Sequence, residues 1–543
     1  MTKKRLALGL DSSTQSLSGV VVDIESREKV FELSLDYIKD PRLNGFGIRK
    51  TDYIVPPGVE GEAAQPPEMF FASLDAMFSD MKSAGIALAN IVVINNSGQQ
   101  HGHVYLNHNA QSIFDRLNKQ NSGLSALVTL LDGCLAYGVA PIWMTSNTAK
   151  QADFVRNYVG GKEKMIQLSG SDAPLRFTGI VMRRVAEQFP ETYEQTENIQ
   201  LISSLIPAIL TGNSKVPVDF GNACGMSLMD YTHKEWSDTL IRAVSDGLPG
   251  GETAFISKLP PIVAPDTIVG NIATYFVTKY GFNPACRIAV GSGDNPQSKV
   301  LVAGDLLSLG TSLVNMVSTD GKILDMNGFA NAMYDGVGRP FMFGCRTNGA
   351  MVWTRLRAMY GMEKEEYGPA EEALQQVPVA RYMVFWQPKS ESFPPSGSFD
   401  LIRISHTTQN LGADYAGLIE STLAAVYEHS RGFTRETTEP LYVTGGATDS
   451  AEIMRRVAAI WNRQIIPMEK GGAALGAAVA GAYAYLKVIG EEMDVEKFSA
   501  NLLKRREPIP PRPEDASAYH SPDGYLERFV AEEAKLITAH PPK

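Results

Sequence analysis

The sequence predicts an α/β protein in two lobes, and three observations carry the prediction. First, one motif occurs twice. Leu8-Gly9-Leu10-Asp11-Ser12-Ser13-Thr14-Gln15-Ser16 runs into the apolar stretch Gly19–Asp23, and Leu307-Ser308-Leu309-Gly310-Thr311-Ser312 runs into Leu313–Val317. Each reads as a strand, a turn of small hydroxyl residues and a second strand. Second, strands and helices alternate around glycine turns, the pattern of an α/β chain. Third, 543 residues are too many for one hydrophobic core, so two or more domains are expected. The expected lobes are residues 1–286 and 287–543.

The repeated turns also point to chemistry. Glycine, serine and threonine put no bulky side chain in the way, so backbone N–H groups and hydroxyls can converge on phosphate oxygens. One such hairpin per half suggests two lobes gripping a polyphosphate, as in a nucleotide-dependent phosphotransferase. Composition agrees: 44% hydrophobic and 20% charged residues are ordinary for a soluble enzyme. A net charge of -10 argues against a nucleic-acid surface, which needs clustered Lys and Arg. Cys134, Cys224, Cys286 and Cys345 make no CxxC pair, so reduced thiols in the cytoplasm are expected. The basic start at Lys3-Lys4-Arg5 leads into only five apolar-run residues before Asp11, too few for a signal sequence. No stretch reaches the roughly 20 apolar residues of a membrane span. The small-residue run Gly471–Ala484 reads instead as a helix packed tightly on a sheet.

Along the chain, Leu6–Leu10 and Val20–Asp23 read as strands. Pro67–Ser83 is an amphipathic helix with Phe70, Phe71, Leu74, Phe78 and Met81 on one face. Ile91–Asn95 is a buried strand delivering the loop Ser97-Gly98-Gln99-Gln100-His101-Gly102. Ile199–Leu210 reads as a helix ending at Gly212, with Pro207 an awkward interior residue. Val218-Asp219-Phe220 leads into a small-residue turn, and Ile288–Val290 is a strand running into Gly291-Ser292-Gly293-Asp294-Asn295-Pro296. Asp320-Gly321 is a tight-turn signal. Tyr442–Thr444 is a strand opening into Gly445-Gly446-Ala447. Asp449-Ser450-Ala451-Glu452 resembles a capping box, so a helix with Ile453, Val457, Ile460 and Trp461 buried should follow Asp449. The tail from Pro508 is proline-rich, then weakly helical, and is assigned no chemistry.

Several residues carry candidate roles. Asp11, at the mouth of the first turn, is either a turn aspartate bonding its own backbone or a carboxylate organising Mg²⁺ beside phosphates; the matching second turn favours the latter. Asp294, after flexible glycines at a strand end, is either a helix cap or the base that phosphoryl transfer to an alcohol requires, and the whole constellation favours the base. Gln99, Gln100 and His101 supply the mixed donors and acceptors a polyol needs. Gly445-Gly446 is either a tight turn or a place for close backbone approach to a nucleotide.

Taken in order, these motifs resemble the FGGY family of carbohydrate kinases, within the superfamily of actin and hexokinase. The match includes Asp11 to Thr14, Gln99 to Gly102, Trp143-Met144, Arg176-Phe177-Thr178-Gly179, Asp219 to Met229, Gly291 to Pro296, Ser308 to Ser312 and Gly445-Gly446-Ala447. The resemblance implies a two-lobed actin-like, ribonuclease H-like fold using ATP and Mg²⁺. It implies Asp294 as general base and Gln100, His101, Asp172, Asp294 and Asn295 at the sugar. It further implies Ser12, Ser13, Thr14, Gln15, Gly310, Thr311 and Ser312 at the phosphates, Gly445, Gly446 and Asp449 at the adenosine, Tyr367 against the adenine, and Asp11 near the metal. Gln-Gln-His-Gly together with Gly-Ser-Gly-Asp-Asn-Pro resembles the branch that phosphorylates xylulose. Two departures bear on the sugar: that branch tends to read Trp-Met-Asp-Ser-Ser-Thr and Gly-Ser-Arg, where this chain has Trp143-Met144-Thr145-Ser146-Asn147-Thr148 and Gly170-Ser171-Asp172. The expected activity is ATP-dependent phosphorylation of a ketopentose such as D-xylulose. Kinases of ribulose, L-xylulose or glycerol stay open. An actin-like nucleotide switch also stays open, although a switch needs no sugar loop. Expected partners are a sugar and ATP, with no nucleic acid and no membrane, in a monomer or homodimer.

Overall fold

The computed structural model describes residues 4–542. The chain folds as two compact units. One takes the chain through Leu301 together with Ala332–Pro340 and Gly471–Leu502; the other takes Val302–Asn331, Phe341–Lys470 and the chain from Leu503 on. This differs from the 286/287 division read from the sequence. The segment after Cys286 supplies strands to the first sheet, and the small-residue segment near Gly471 returns to cover that sheet, so Asp294 lies in the first unit.

The first unit is built on a seven-stranded sheet. Strands β1 (Leu6–Ser12), β2 (Ser16–Asp23) and β3 (Glu28–Asp36) form an antiparallel meander, with Leu6 opposite Asp23 and Ser12 opposite Leu17. Strand β4 (Ile91–Gly98) joins parallel to β1. Beyond the sheet, β5 (His103–Asn107) pairs antiparallel with β6 (Thr196–Leu201). Strand β7 (Ile268–Asn271) pairs antiparallel with β8 (Arg287–Ala289), and β8 and β9 (Ser292–Gly293) both run parallel to β4. Buried on both faces, β1 and β4 begin as apolar runs, Leu6–Leu10 and Ile91–Ile94, as central strands do, and turn polar only toward their C-terminal ends.

The second unit repeats the plan. Strands β10 (Leu306–Leu309), β11 (Leu313–Ser318) and β12 (Pro340–Arg346) form an antiparallel meander. Strand β13 (Leu441–Thr444) lies parallel to β10, and β14 (Ile465–Pro467) lies parallel to β13. In both sheets a hairpin strand is flanked by its meander on one side and by parallel strands on the other. Both repeated motifs of the sequence are therefore the first hairpins of equivalent sheets.

The helix expected over Pro67–Ser83 has those bounds. Proline opens it where no N–H partner is needed, Glu68 and Lys82 complement its dipole, and Phe70, Phe71, Leu74, Phe78 and Met81 are buried. The helix expected over Ile199–Leu210 starts later, at Ile202, because Thr196–Leu201 is taken by β5. Pro207 stands inside it and offers no N–H to the Ser203 carbonyl. Asn96 supplies the missing donor through Nδ2 at 3.2 Å, and Gly212 ends the helix at φ +68°. The tail is more ordered than expected: Pro513–His520 and Tyr525–Ala539 are helices that bury Tyr519, Tyr525 and Phe529 in the core of the second unit. Among the described residues, the cysteines form no disulfide and no helix is long and apolar enough to cross a membrane.

The small-residue run does pack tightly, as helix Ala473–Val488 against β1. Its backbone comes so close that a Cβ at Gly9 would sit 2.0 Å from the Ala474 carbonyl oxygen and 2.3 Å from the Ala478 nitrogen. Gly9→Ala should therefore cost about 1–3 kcal/mol, the usual cost of overpacking a close-packed core. Urea unfolding checks this, with an unchanged midpoint the contrary result.

Candidate active site

The first hairpin turn is a rigid cradle. Ser13 closes it by donating both its backbone N–H and its hydroxyl to the Ser16 carbonyl, at 3.0 and 2.9 Å. Thr14 is held from three directions. Its Oγ1 accepts from the Trp143 indole at 2.8 Å and donates to Gln99 Oε1 at 3.3 Å, and its carbonyl accepts from Gln65 Nε2 at 2.7 Å. Gln99 Nε2 in turn donates to Gln65 Oε1 at 2.7 Å. Gln99, grouped by sequence with the sugar loop, is thus committed to the phosphate turn. The Asp11 carboxylate, one residue before Ser12, accepts from the Ser97 hydroxyl at 2.7 Å.

Strand β4 delivers Gln100 and His101, both buried. His101 takes φ +71°, a conformation costing about 1–3 kcal/mol that surrounding contacts must offset. Its carbonyl lies 3.1 Å from the donating Thr178 hydroxyl and 3.0 Å from His103 Nδ1, and its ring stacks on Phe177 at 4.4 Å. His101 Nδ1 lies 2.8 Å from the Gly225 carbonyl, an acceptor only, so Nδ1 carries the hydrogen and Nε2 keeps a lone pair. Burial, and then the charge of Arg176, hold its pKa well below the ordinary value. Gln100 donates Nε2 to the Gly221 carbonyl at 3.2 Å, and its Oε1 has no protein partner.

Asp294 opens the helix Asp294–Val300 just past β9. A Cβ at Gly293 before it would lie 1.6 Å from Gln100 Oε1, so any side chain there would displace the Gln100 amide. Asp294 Oδ1 accepts from the Asn295 backbone N–H at 2.8 Å and from Asn295 Nδ2 at 3.1 Å. Burial, and then the nearby Asp11 charge, push the Asp294 carboxyl up to about 7, against hydrogen bonds from the Asn295 and Gln100 backbones. Asp11, Gln100, Asp294 and Asn295 are therefore brought together, with His101 beside Gln100.

Two expected positions have partners of their own. Asp172 accepts from Arg156 Nε at 2.7 Å and faces Lys162 at 4.0 Å. Thr145 is buried, with its hydroxyl donating to the Ala63 carbonyl at 3.0 Å.

In the second unit, the Gly310 and Thr311 carbonyls accept the Ala350 and Met351 N–H groups at 3.0 and 3.3 Å, seating the turn on a helix start. Ser312 donates to the Thr347 carbonyl at 3.4 Å. Gly445 takes φ +108° beside the end of β10, and Gly446 faces open space. The helix cap expected at Asp449 falls on Ser450, whose Oγ accepts from the Ile453 N–H at 3.0 Å. Asp449 is one residue early, inside a 3₁₀ turn, and its carboxylate pairs with Arg506 instead. Glu371 accepts the Glu452 N–H at 3.0 Å. Tyr367 is 55% exposed, with the Arg357 guanidinium 4.2 Å above its ring. Sequence reading missed Gln65, and it gave Asp219 and Ser292 no role although both fall in matched motifs. Gln65 meets Gln99 34 residues away, and the contact that ties Asp219 to Ser292 spans 73 residues, so neither pairing shows in a local pattern.

The chain belongs to the FGGY family of carbohydrate kinases: the family's N-terminal domain matches residues 137–300 and its C-terminal domain residues 306–485. It is 32% identical to the xylulose kinase of Saccharomyces cerevisiae over 66% of this chain and 58% of that protein. It is 27% identical to the xylulose kinase of Schizosaccharomyces pombe over 88% of this chain and 89% of that protein. The fold is shared with a gluconate kinase structure from Lactobacillus acidophilus, at a TM-score of 0.80 and 16% identity over 99% of each chain.

The raised Asp294 value has a consequence for stability. The folded chain holds that proton up to about 7, whereas an unperturbed carboxyl releases it near 3.8. The group's stabilising contribution is therefore complete at acid pH and is lost as pH rises through about 7. Asp294→Asn should raise the melting temperature over the parent at pH 8, and the gap should close toward pH 4. Equal melting curves at both values would show that the carboxyl is not perturbed.

Proposed function

We propose that this protein transfers the γ-phosphoryl group of ATP to a ketopentose, D-xylulose, giving D-xylulose 5-phosphate. The observation that carries the reading is the placement of Asp294 past a strand end, beside Asp11, Gln100 and Asn295, with a carboxyl poised near neutrality. A base that titrates near working pH is best matched to abstracting a proton from an alcohol. The names of the two yeast relatives support xylulose as the acceptor.

In the proposed reaction Asp294 accepts the proton of the terminal sugar hydroxyl. The oxygen forms its bond to the γ-phosphorus as the bond to the β–γ bridging oxygen breaks and ADP leaves. His101 offers the Nε2 lone pair to a sugar hydroxyl, and because it is held neutral this acceptor persists across the working pH range. Gln100 Oε1 and Asn295 complete the acceptor contacts. Ser12, Ser13, Thr14 and Gln15 are assigned to phosphate, as are Gly310, Thr311 and Ser312. Gly445, Gly446, Asp449 and Tyr367 are assigned to adenosine. Among the described residues no three His, Cys, Asp or Glu side chains form a metal cage, while Asp11 stands beside a second carboxylate. That donor set fits Mg²⁺, which keeps several waters and takes phosphate oxygens as ligands. Bound near Asp11, Mg²⁺ would neutralise charge on the transferring group. Cysteines that form no disulfide suit a reducing compartment, the cytoplasm.

A second reading, a kinase for another ketose or polyol, is favoured by one observation. Where xylulose-specific relatives tend to carry a guanidinium, this chain has Asp172 neutralised by Arg156.

Asp294→Ala should lower kcat by about 10²–10⁴-fold, the usual contribution of a positioned base, while ADP binding measured by calorimetry is retained. For the parent, kcat/KM should rise with pH through about 7 as Asp294 ionises, and the variant should lose that limb. ADP release with D-xylulose, L-xylulose, D-ribulose, L-ribulose and glycerol tests the acceptor. Thr145→Asp and Asp172→Arg, singly and together, should reorder that panel more than they change the KM for ATP. An unchanged order in all three variants would place both positions outside sugar recognition.

A further inference from the structure

We propose that Asp219 is a positioning residue for the acceptor site: its carboxylate holds both the turn that orients Gln100 and His101 and the strand end that carries Asp294. The proposal rests on the reading above, in which those three side chains meet the sugar.

Asp219 is wholly buried, so it acts through its neighbours and not on substrate. It ends a short strand, Val218–Asp219, and caps the helix Phe220–Ala223. Oδ2 accepts from the Gly221 N–H at 3.0 Å and from the Ser292 hydroxyl at 2.7 Å. Oδ1 accepts from the Asn222 N–H at 3.0 Å and from Asn222 Nδ2 at 2.8 Å. The second Asn222 amide hydrogen goes to Ser203 Oγ at 2.9 Å. Four donors on one buried carboxylate fix the turn that follows it, because leaving any of them unpaired away from water is costly.

That turn presents two carbonyls to the site. Gly221 O accepts from Gln100 Nε2 and so decides which way the Gln100 amide faces. Gly225 O accepts from His101 Nδ1 and so decides the tautomer, leaving Nε2 as the acceptor. The contact is close enough that a Cβ on Gly225 would sit 2.9 Å from His101 Nδ1 and 3.0 Å from Gln100 Nε2. The remaining arm, through Ser292, reaches the strand two residues before Asp294. One carboxylate therefore sets the orientation of two acceptor ligands and the position of the base. An aspartate serving only as a helix cap would need neither the Ser292 bond nor a turn whose carbonyls meet both side chains.

Asp219→Asn in the full-length protein is the test. The amide keeps the shape but turns one acceptor into a donor facing donors. Three measurements are needed: ADP affinity by calorimetry, the ¹⁵N imidazole spectrum with the His101 signal assigned through its loss in His101→Asn, and steady-state rates on D-xylulose. The expected result is retained ADP binding, loss of the single Nδ1–H tautomer at His101, and a KM for the sugar raised roughly 10-fold with kcat/KM down ~10²-fold, as misplacement of reacting groups produces. Ser292→Ala, which cuts only the arm toward Asp294, should lower kcat more than it raises KM. An unchanged His101 spectrum together with an unchanged KM in Asp219→Asn would overturn the proposal. Should Asp219→Asn fail to bind ADP, Ser292→Ala and Asn222→Ala decide instead, and parental kcat and KM in both would overturn it. If the parent phosphorylates no sugar in the panel, the functional reading fails, while the His101 tautomer still reports on the role of Asp219.

Discussion

In the first sheet, Gly98 lies opposite Ser12 on one side and opposite Gly293 on the other. That parallel register brings the C-terminal ends of β1, β4 and β9 level. Just past those ends come the phosphate turn, the loop carrying Gln100 and His101, and Asp294. Open α/β sheets place ligands beyond the carboxyl ends of their strands for this reason. A slip by one residue between β1 and β4 would separate Asp11 from Ser97 and reverse the side chains along the strand. The register is protected by burial: Ile91, Val93 and Ile94 leave no room for an alternative pairing.

The polar groups around those ends are largely satisfied by one another. Thr14 is fixed by Gln65, Gln99 and Trp143, His101 by Gly225, Thr178 and Phe177, and Asp219 by four donors. Each such bond contributes only about 1 kcal/mol net, but a buried group deprived of its partner costs more. The network is therefore better read as a device for holding geometry than as a source of stability. The strained φ of His101 belongs to the same account, since several contacts are needed to hold it.

Much of this was legible in the sequence wherever the signal is local. The two hairpins, the helix Pro67–Ser83 and the small-residue helix near Gly471 each follow from a pattern within about twenty residues. What was not legible depends on distant partners. Ile199–Leu201 reads as the start of a helix and instead ends a strand, Thr196–Leu201, that pairs with His103–Asn107. Asp449 looks like the cap, but the chain makes a 3₁₀ turn first and Ser450 takes the role. Asp172 reads as a sugar contact, and only the structure shows that Arg156, on the helix Ala149–Tyr158, pairs with its carboxylate. The unit boundary was misplaced for the same reason, since only pairing with β4 shows where Arg287–Gly293 belongs.

The two sheets share the order of their meander and of the two parallel strands beside it, and the strand parallel to the hairpin occupies the same place in each. In the first it delivers Gln100 and His101; in the second it delivers Gly445 and Gly446. Equivalent addresses in a repeated plan thus carry different residues: polar side chains in one copy, bare backbone in the other. Side chains can be exchanged one at a time without disturbing a strand, whereas a backbone contact admits little change. On the proposed assignments, acceptor preference is the part of this architecture that can drift, and nucleotide recognition is the part that stays fixed.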